Sequence, residues 1–311
     1  MKRKIIVSFL ILSLVLVFPQ VNAQTDATKQ VNQKSVELRI DIDGNVKVTH
    51  EINRTNEIGQ LELIEGTVSN LKVIDELGQE KPATITEETN SILILPDQGE
   101  LRVQYDLDDV LELKNNMWTL DFRYLHTTNF FFPDKLVSII TNGVPVNLND
   151  KKGLACHGCQ MLLEYTVNEP KSIKQINLGE KEFLVEVITF SELENFNFDQ
   201  NNGEINFNVN EANQIITTII PLELLSEPFT VLLDIEKISF HDYINNGTHI
   251  WLNLRPADSG EVTIKGVITE PPINPQVTES PTEPSVIIVV SVIIGVGTIV
   301  GFFLLKKTSR R

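Results

Sequence analysis

Between residues 30 and 268 helical periodicity is nearly absent, and short alternating or continuous runs of β-formers recur with Gly, Asn, Asp and Pro between them. A chain patterned this way cannot bury one face of a helix. It can close antiparallel strands into sandwiches, because side chains two apart share a face and each short run ends in turn residues. The clearest unit is Val36-Glu37-Leu38-Arg39-Ile40, then Asp43-Gly44-Asn45, then Val46-Lys47-Val48-Thr49, which predicts a hairpin. Asp41-Ile42-Asp43-Gly44-Asn45 has the flavour of a calcium loop, but counting from Asp41 the Gly falls fourth rather than sixth. Position twelve is Ile52, where a bidentate Glu is required, so a turn is expected.

Further strands are expected at 60–64, 71–75, 91–95, 101–105, 118–124, 136–141 and 161–167, giving a first β-sandwich over 30–168. The apolar pattern lapses at Glu169-Pro170 and stays polar to Gly179, which reads as a linker. Eight short strands between 183 and 267 then fit a second, jelly-roll-like sandwich over 180–268. Pro221-Leu222-Glu223-Leu224-Leu225 interrupts them and is expected to form one helical turn.

The ends set the topology. Lys2, Arg3 and Lys4 precede an uncharged run over 5–18, then Pro19 and Val21-Asn22-Ala23, the order of a cleavable signal peptide over 1–23. As a helix, about fourteen residues rise about 21 Å, short of the roughly 30 Å hydrocarbon core. Residues 286–305 form an uncharged stretch long enough to span that core as a transmembrane α-helix. Lys306, Lys307, Arg310 and Arg311 then place the tail, 306–311, in the cytoplasm and the ectodomain outside the cell membrane. Within the span, Ser291 and Gly295, and Gly297 and Gly301, have the small-xxx-small spacing that permits close helix packing, though Gly is common in such spans anyway. Residues 269–285 hold Pro271, Pro272, Pro275, Pro281 and Pro284 among Thr, Ser and Glu, an extended stalk.

Of 26 Lys/Arg, three lie in the leader and four in the tail, so the segment between sets 19 against all 42 Asp/Glu, a net charge of −23. That balance argues against nucleic acid and anionic headgroups as partners. Two Cys in so long an exported chain exclude a disulfide framework. Cys156-His157-Gly158-Cys159 can close a small disulfide ring, hold a soft metal, or stay as thiols; with His157, Met161 or the distant His126 it can bind Cu(I), copper being the only cofactor the residues suggest. Position 160 is Gln, which excludes c-type haem attachment. Asn53-Arg54-Thr55 and Asn246-Gly247-Thr248 are glycosylation acceptors in form. His126 with Phe130, Phe131 and Phe132 reads either as an exposed binding loop or as inter-sheet packing. No nucleophile elbow, zincin helix or phosphate cradle occurs, so no catalytic residues are expected and the chain is read as non-enzymatic.

Ile220-Pro221-Leu222-Glu223-Leu224-Leu225, Glu227-Pro228-Phe229-Thr230-Val231-Leu232-Leu233-Asp234 and Asn246-Gly247-Thr248-His249 resemble a β-sandwich module repeated in archaeal surface proteins, especially of ammonia-oxidising lineages. The likeness covers about ninety residues and implies export, anchoring and an adhesive or envelope setting with an unknown protein or glycan partner. Residues 118–133 and 152–161 look like the ectodomain of archaeal single-pass membrane proteins, which implies no activity. The expected function is therefore a displayed surface protein for adhesion, envelope architecture or partner binding. The alternative is a copper-binding or thiol-redox accessory protein acting through the Cys156-His157-Gly158-Cys159 loop.

Overall fold

A computed structural model describes residues 29–86, 89–149 and 151–269, and these build an all-β structure of strands and turns. The expected signal peptide, span and tail, with Ser291, Gly295, Gly297 and Gly301, lie outside the described residues, as does the stalk beyond Thr269. In chain order the strands are β1 (Gln33–Ile40), β2 (Val46–Ile52), β3 (Gly59–Glu62), β4 (Thr67–Asp75), β5 (Glu80–Lys81), β6 (Ile85–Thr86), β7 (Ser91–Ile94) and β8 (Leu101–Asp108). They continue with β9 (Glu112–Lys114), β10 (Met117–Tyr124), β11 (Thr128–Phe131), β12 (Leu136–Thr141), β13 (Val144–Pro145), β14 (Gly153–Cys156) and β15 (Cys159–Val167). Then come β16 (Lys171–Leu178), β17 (Lys181–Ile188), β18 (Leu193–Asp199), β19 (Glu204–Val209) and β20 (Ile216–Pro221). The last are β21 (Ser226–Leu233), β22 (Glu236–Lys237), β23 (Phe240–Asn245), β24 (His249–Leu254) and β25 (Gly260–Val267).

The first fifteen strands make three sheets, ordered β14-β11-β1-β2-β8-β4-β5, β13-β12-β15-β10-β9 and β3-β7-β6. Their inward faces meet in one core. Val46, Val48, His50 and Ile52 alternate inward from β2, Leu101, Val103, Tyr105 and Leu107 from β8, and Leu120, Phe122 and Tyr124 from β10. The last ten make two sheets, β16-β17-β20-β24-β23 and β18-β19-β25-β21-β22, around a second core that includes Val185, Phe207, Ile220, Leu252 and Ile264. Each such side chain, fully buried, contributes about 1.5–3 kcal/mol relative to exposure. Both cores lie within one compact unit that ends at Ile268.

The β1–β2 hairpin closes as a turn. Asp41 Oδ1 accepts the Asp43 and Asn45 backbone N–H groups at 2.9 and 2.8 Å, and Gly44 takes φ +83°. The expected helical turn is also present, with the Leu224 and Leu225 N–H groups both donating to Pro221 O. The linker expected at 169–179 is instead largely β16. Ile176 and Leu178 alternate into the second core, and an edge strand exposed on its other face needs no more apolar pattern than that. Pro170 precedes that strand, and its carbonyl accepts the Thr189 N–H.

A buried polar cluster pins the three sheets of the first core together. His50 Nδ1 lies 2.8 Å from Gln33 Oε1, an acceptor only, so Nδ1 carries the proton and donates. Nε2 then accepts the Tyr105 hydroxyl at 2.9 Å, and that hydroxyl accepts the Ile64 N–H at 2.9 Å. Tyr124, from the facing sheet, donates to Glu62 O at 2.7 Å and accepts from Gln33 Nε2 at 3.1 Å. Desolvation pulls the His50 pKa down to about 3, with a smaller electrostatic influence from His126 in the same direction, and burial pushes the Tyr124 pKa up to about 12. His50 is therefore neutral at physiological pH, and the cluster is fully satisfied in that state.

Candidate functional site

All six residues of β20, Ile-Thr-Thr-Ile-Ile-Pro, are buried, although only one face of the strand meets the second core. The other face, with Thr217 and Ile219, is covered because this sheet turns its outer side toward the β12–β13 hairpin. The two sheet stacks are joined beside it by an ion pair, Arg255 Nη1 to Glu164 Oε1 at 2.9 Å, with Glu164 buried and Arg255 about one-third exposed. Where the surfaces diverge they leave a cleft of about 440 Å³, in the range of small-ligand sites.

One wall of the cleft carries Phe132, Ser138 and Val146, and the other carries Thr217, Tyr243, Trp251 and Asn253. These groups are held in place by their neighbours. Asn253 is buried opposite Thr217 in the β20–β24 register and donates from Nδ2 to Thr217 Oγ1 at 3.0 Å. Tyr243 lines the same wall, and burial raises its pKa, with Thr217 acting in the opposite direction. On the opposite wall, Ser138 Oγ and Thr166 Oγ1 both donate to Glu169 Oε2, at 2.8 and 2.7 Å, and burial raises the Glu169 pKa. Asp134, Lys151 and Lys152 stand exposed at the rim. Three half-buried aromatic rings among amides and hydroxyls can hold a polar ligand with apolar faces through packing and short hydrogen bonds.

The sequence-derived candidates lie elsewhere. Cys156 ends β14, is buried against the first core and is disulfide-bonded. His157 is exposed, with Nδ1 3.1 Å from Thr127 Oγ1. Met161 is buried in the first core, in register with Phe122, so the structure does not bring it to the surface beside His157. His126 is exposed, its ring 5.7 Å from that of Tyr124. Among the described residues no group of three or more His, Cys, Asp or Glu is placed to hold a metal ion.

The Phe130 segment is β11, a strand parallel to β1 and antiparallel to β14, rather than a loop. Phe130 is fully buried edge-on to Phe122 at 4.8 Å, and Phe131 lies under the Arg39 guanidinium at 4.1 Å. Phe132 packs on Tyr165 and reaches the cleft wall, the one member of the trio that does. Asn53 is half-buried after β2, and Asn246 is exposed in the β23–β24 turn.

Sequence reasoning did not single out Tyr243, Trp251, Asn253 and Thr217. The unbroken apolar and Thr run from Ile215 to Pro221 carries the one available signal, since burial on both faces requires a second layer over that sheet. No protein-family model matches this sequence, and no curated protein is significantly similar to it.

Proposed function

We propose that the chain is a non-enzymatic cell-surface or envelope protein of the archaeal single-pass type. It displays its two β-sandwiches outside the cell for adhesion, envelope architecture or partner binding, and is held by the span over 286–305 with 306–311 in the cytoplasm. The observation that supports this reading best is the cleft between the sandwiches, where Phe132, Tyr243 and Trp251 converge with Asn253, Thr217 and Ser138 on a surface suited to a protein or glycan partner. The resemblance of residues 220–249 to an archaeal surface module, and the acidic balance that disfavours nucleic acid, support the same setting.

In this reading Cys156 and Cys159 form a local disulfide that staples the β14–β15 turn. The competing role, copper binding or thiol redox through Cys156-His157-Gly158-Cys159, is disfavoured by the burial of Cys156 and Met161 in the first core.

Protease added to intact cells tests the display. It is expected to shed the ectodomain and leave a membrane stub carrying 286–311. An ectodomain that stays whole while other surface proteins are cut overturns the reading. Trp251→Ala, which removes one aromatic wall of the cleft, is expected to lower retention of the protein on envelopes from cells lacking it, while equal retention assigns binding to another face.

A further inference from the structure

The two glycosylation sequons differ in how they are held, and the difference concerns the groups that the reaction uses. Asn246-Gly247-Thr248 occupies the exposed tip between β23 and β24. Asn246 Oδ1 accepts three donors: Thr248 N–H at 3.0 Å, Thr248 Oγ1 at 3.0 Å and His249 N–H at 2.8 Å. Because an amide oxygen only accepts, the Thr248 hydroxyl must donate to it, and that hydroxyl in turn accepts from His249 Nδ1 at 2.9 Å. Donors converging on Oδ1 draw electron density from the amide and make the Nδ2–H more acidic. Nδ2 itself makes no hydrogen bond among the described residues, so the nitrogen is both activated and accessible.

Asn53-Arg54-Thr55 is arranged the other way. Asn53 is half-buried where β2 ends, and its backbone N–H is tied to Asn32 O at 3.0 Å. Thr55 pairs with Asp97 across an isolated bridge, its carbonyl accepting the Asp97 N–H at 2.9 Å. Its hydroxyl donates to Glu57 O at 2.6 Å, so its one proton is turned away from Asn53. Bringing this sequon into the geometry seen at Asn246 requires that hydrogen bond to break and the bridge to open, a penalty on the order of tenfold in rate.

We infer that Asn246, and not Asn53, is the N-glycosylation acceptor of the folded chain. The inference rests on the export proposed above for its cellular setting. In the step, a bond forms between Asn246 Nδ2 and the anomeric carbon of a saccharide carried on a polyprenyl phosphate or diphosphate. The bond from that carbon to the phosphate oxygen breaks, the lipid phosphate leaves with the electron pair, and the Nδ2 proton passes to a base of the transferase. The attached sugar then stands at the end of the sheet whose β23 and β24 also carry Tyr243 and Trp251 to the cleft.

The full chain, extracted in mild detergent, is incubated with a purified oligosaccharyltransferase and its lipid-linked saccharide, and intact glycopeptides are quantified by mass spectrometry. Reading the intact glycan keeps deamidation at Asn246-Gly247 from being counted as occupancy. Asn246 is expected to be modified on the order of ten times faster than Asn53, with Asn246→Gln abolishing modification of the folded chain and Asn53→Gln leaving it unchanged. After denaturation the two sites are expected to react alike, which separates folded geometry from the local sequence. Equal rates in the folded chain, or a preference for Asn53, overturn the inference. In producing cells, the mature N-terminus read from the same digest reports export separately. A chain beginning at Gln24 with a bare Asn246 overturns the inference and leaves export standing, whereas an uncleaved leader counts against export while the purified reaction still decides the acceptor.

Discussion

Acid should loosen the first sandwich through His50 before it touches most of the carboxylates. In the fold the imidazole is buried and neutral, its Nε2 committed as acceptor to Tyr105 and its Nδ1–H to Gln33, and its pKa lies at about 3. In the unfolded chain the value returns to about 6.5. Between those values the unfolded state binds a proton that the folded state refuses, so stability is fully present above about pH 6.5 and falls as the pH drops toward 3. The slope is about 1.4 kcal/mol per pH unit, so moving from neutral pH to 4.5 costs about 2.7 kcal/mol, a large share of a typical domain's 5–15 kcal/mol. The electrostatic influence of His126 acts in the same direction as burial and disfavours the protonated ring further.

The assay is urea unfolding of residues 24–268 at pH 4.5 to 7.5, followed by Trp118 fluorescence in a Trp251→Phe background and compared with the same protein carrying His50→Gln. Glu169, whose raised pKa acts with opposite sign by favouring the fold at low pH, is common to both proteins and cancels in the comparison. The variant is expected to be less stable at pH 7 and to lack the slope, so the two curves converge as the pH falls. Parallel curves refute the reasoning, because they mean that His50 has the same proton affinity folded and unfolded.

Gly44→Ala should lower the stability of the first sandwich by about 2 kcal/mol with an unchanged denaturant slope, since φ is +83° and the new Cβ would run into the Trp118 ring. A midpoint within error of the parent disproves the tight turn-to-ring contact. Arg255→Ala removes the cation from buried Glu164 and should cost about 2 kcal/mol of coupling between the sandwiches. In calorimetry one unfolding peak should then separate into two, and a single unshifted peak assigns the coupling to other contacts.

Much of the strand framework was legible because its signals are local. The 36–49 hairpin follows from alternation around Asp-Gly-Asn, and strand runs such as 101–105, 118–124 and 161–167 each carry an inward triplet two residues apart that the structure places in the first core. Strands missed were those whose signal is one-sided or short. β16 buries only Ile176 and Leu178 at its far end, and β11 hides its pairing, because a parallel partner ninety residues upstream leaves no turn in the sequence to mark it. The same alternation in β2 that put Val46, Val48 and Ile52 inside also put His50 there, yet a lone histidine does not announce Gln33, Tyr105 and Tyr124, which reach it from three other strands.

The cleft was hidden for a stronger reason. Thr217 and Asn253 meet only because β20 and β24 pair in a particular register across 36 residues, and Tyr243 joins them through a break in the β23–β24 ladder between Asp242 and Ile244. A bulge re-aims one side chain against the strict alternation on either side of it, so a reading based on alternation assigns Tyr243 no dependable face. The residues that form the candidate site are thus ones that local periodicity describes poorly. The position of that bulge relative to the β20–β24 register, more than the composition of the segment, determines whether Thr217, Tyr243 and Asn253 form one surface.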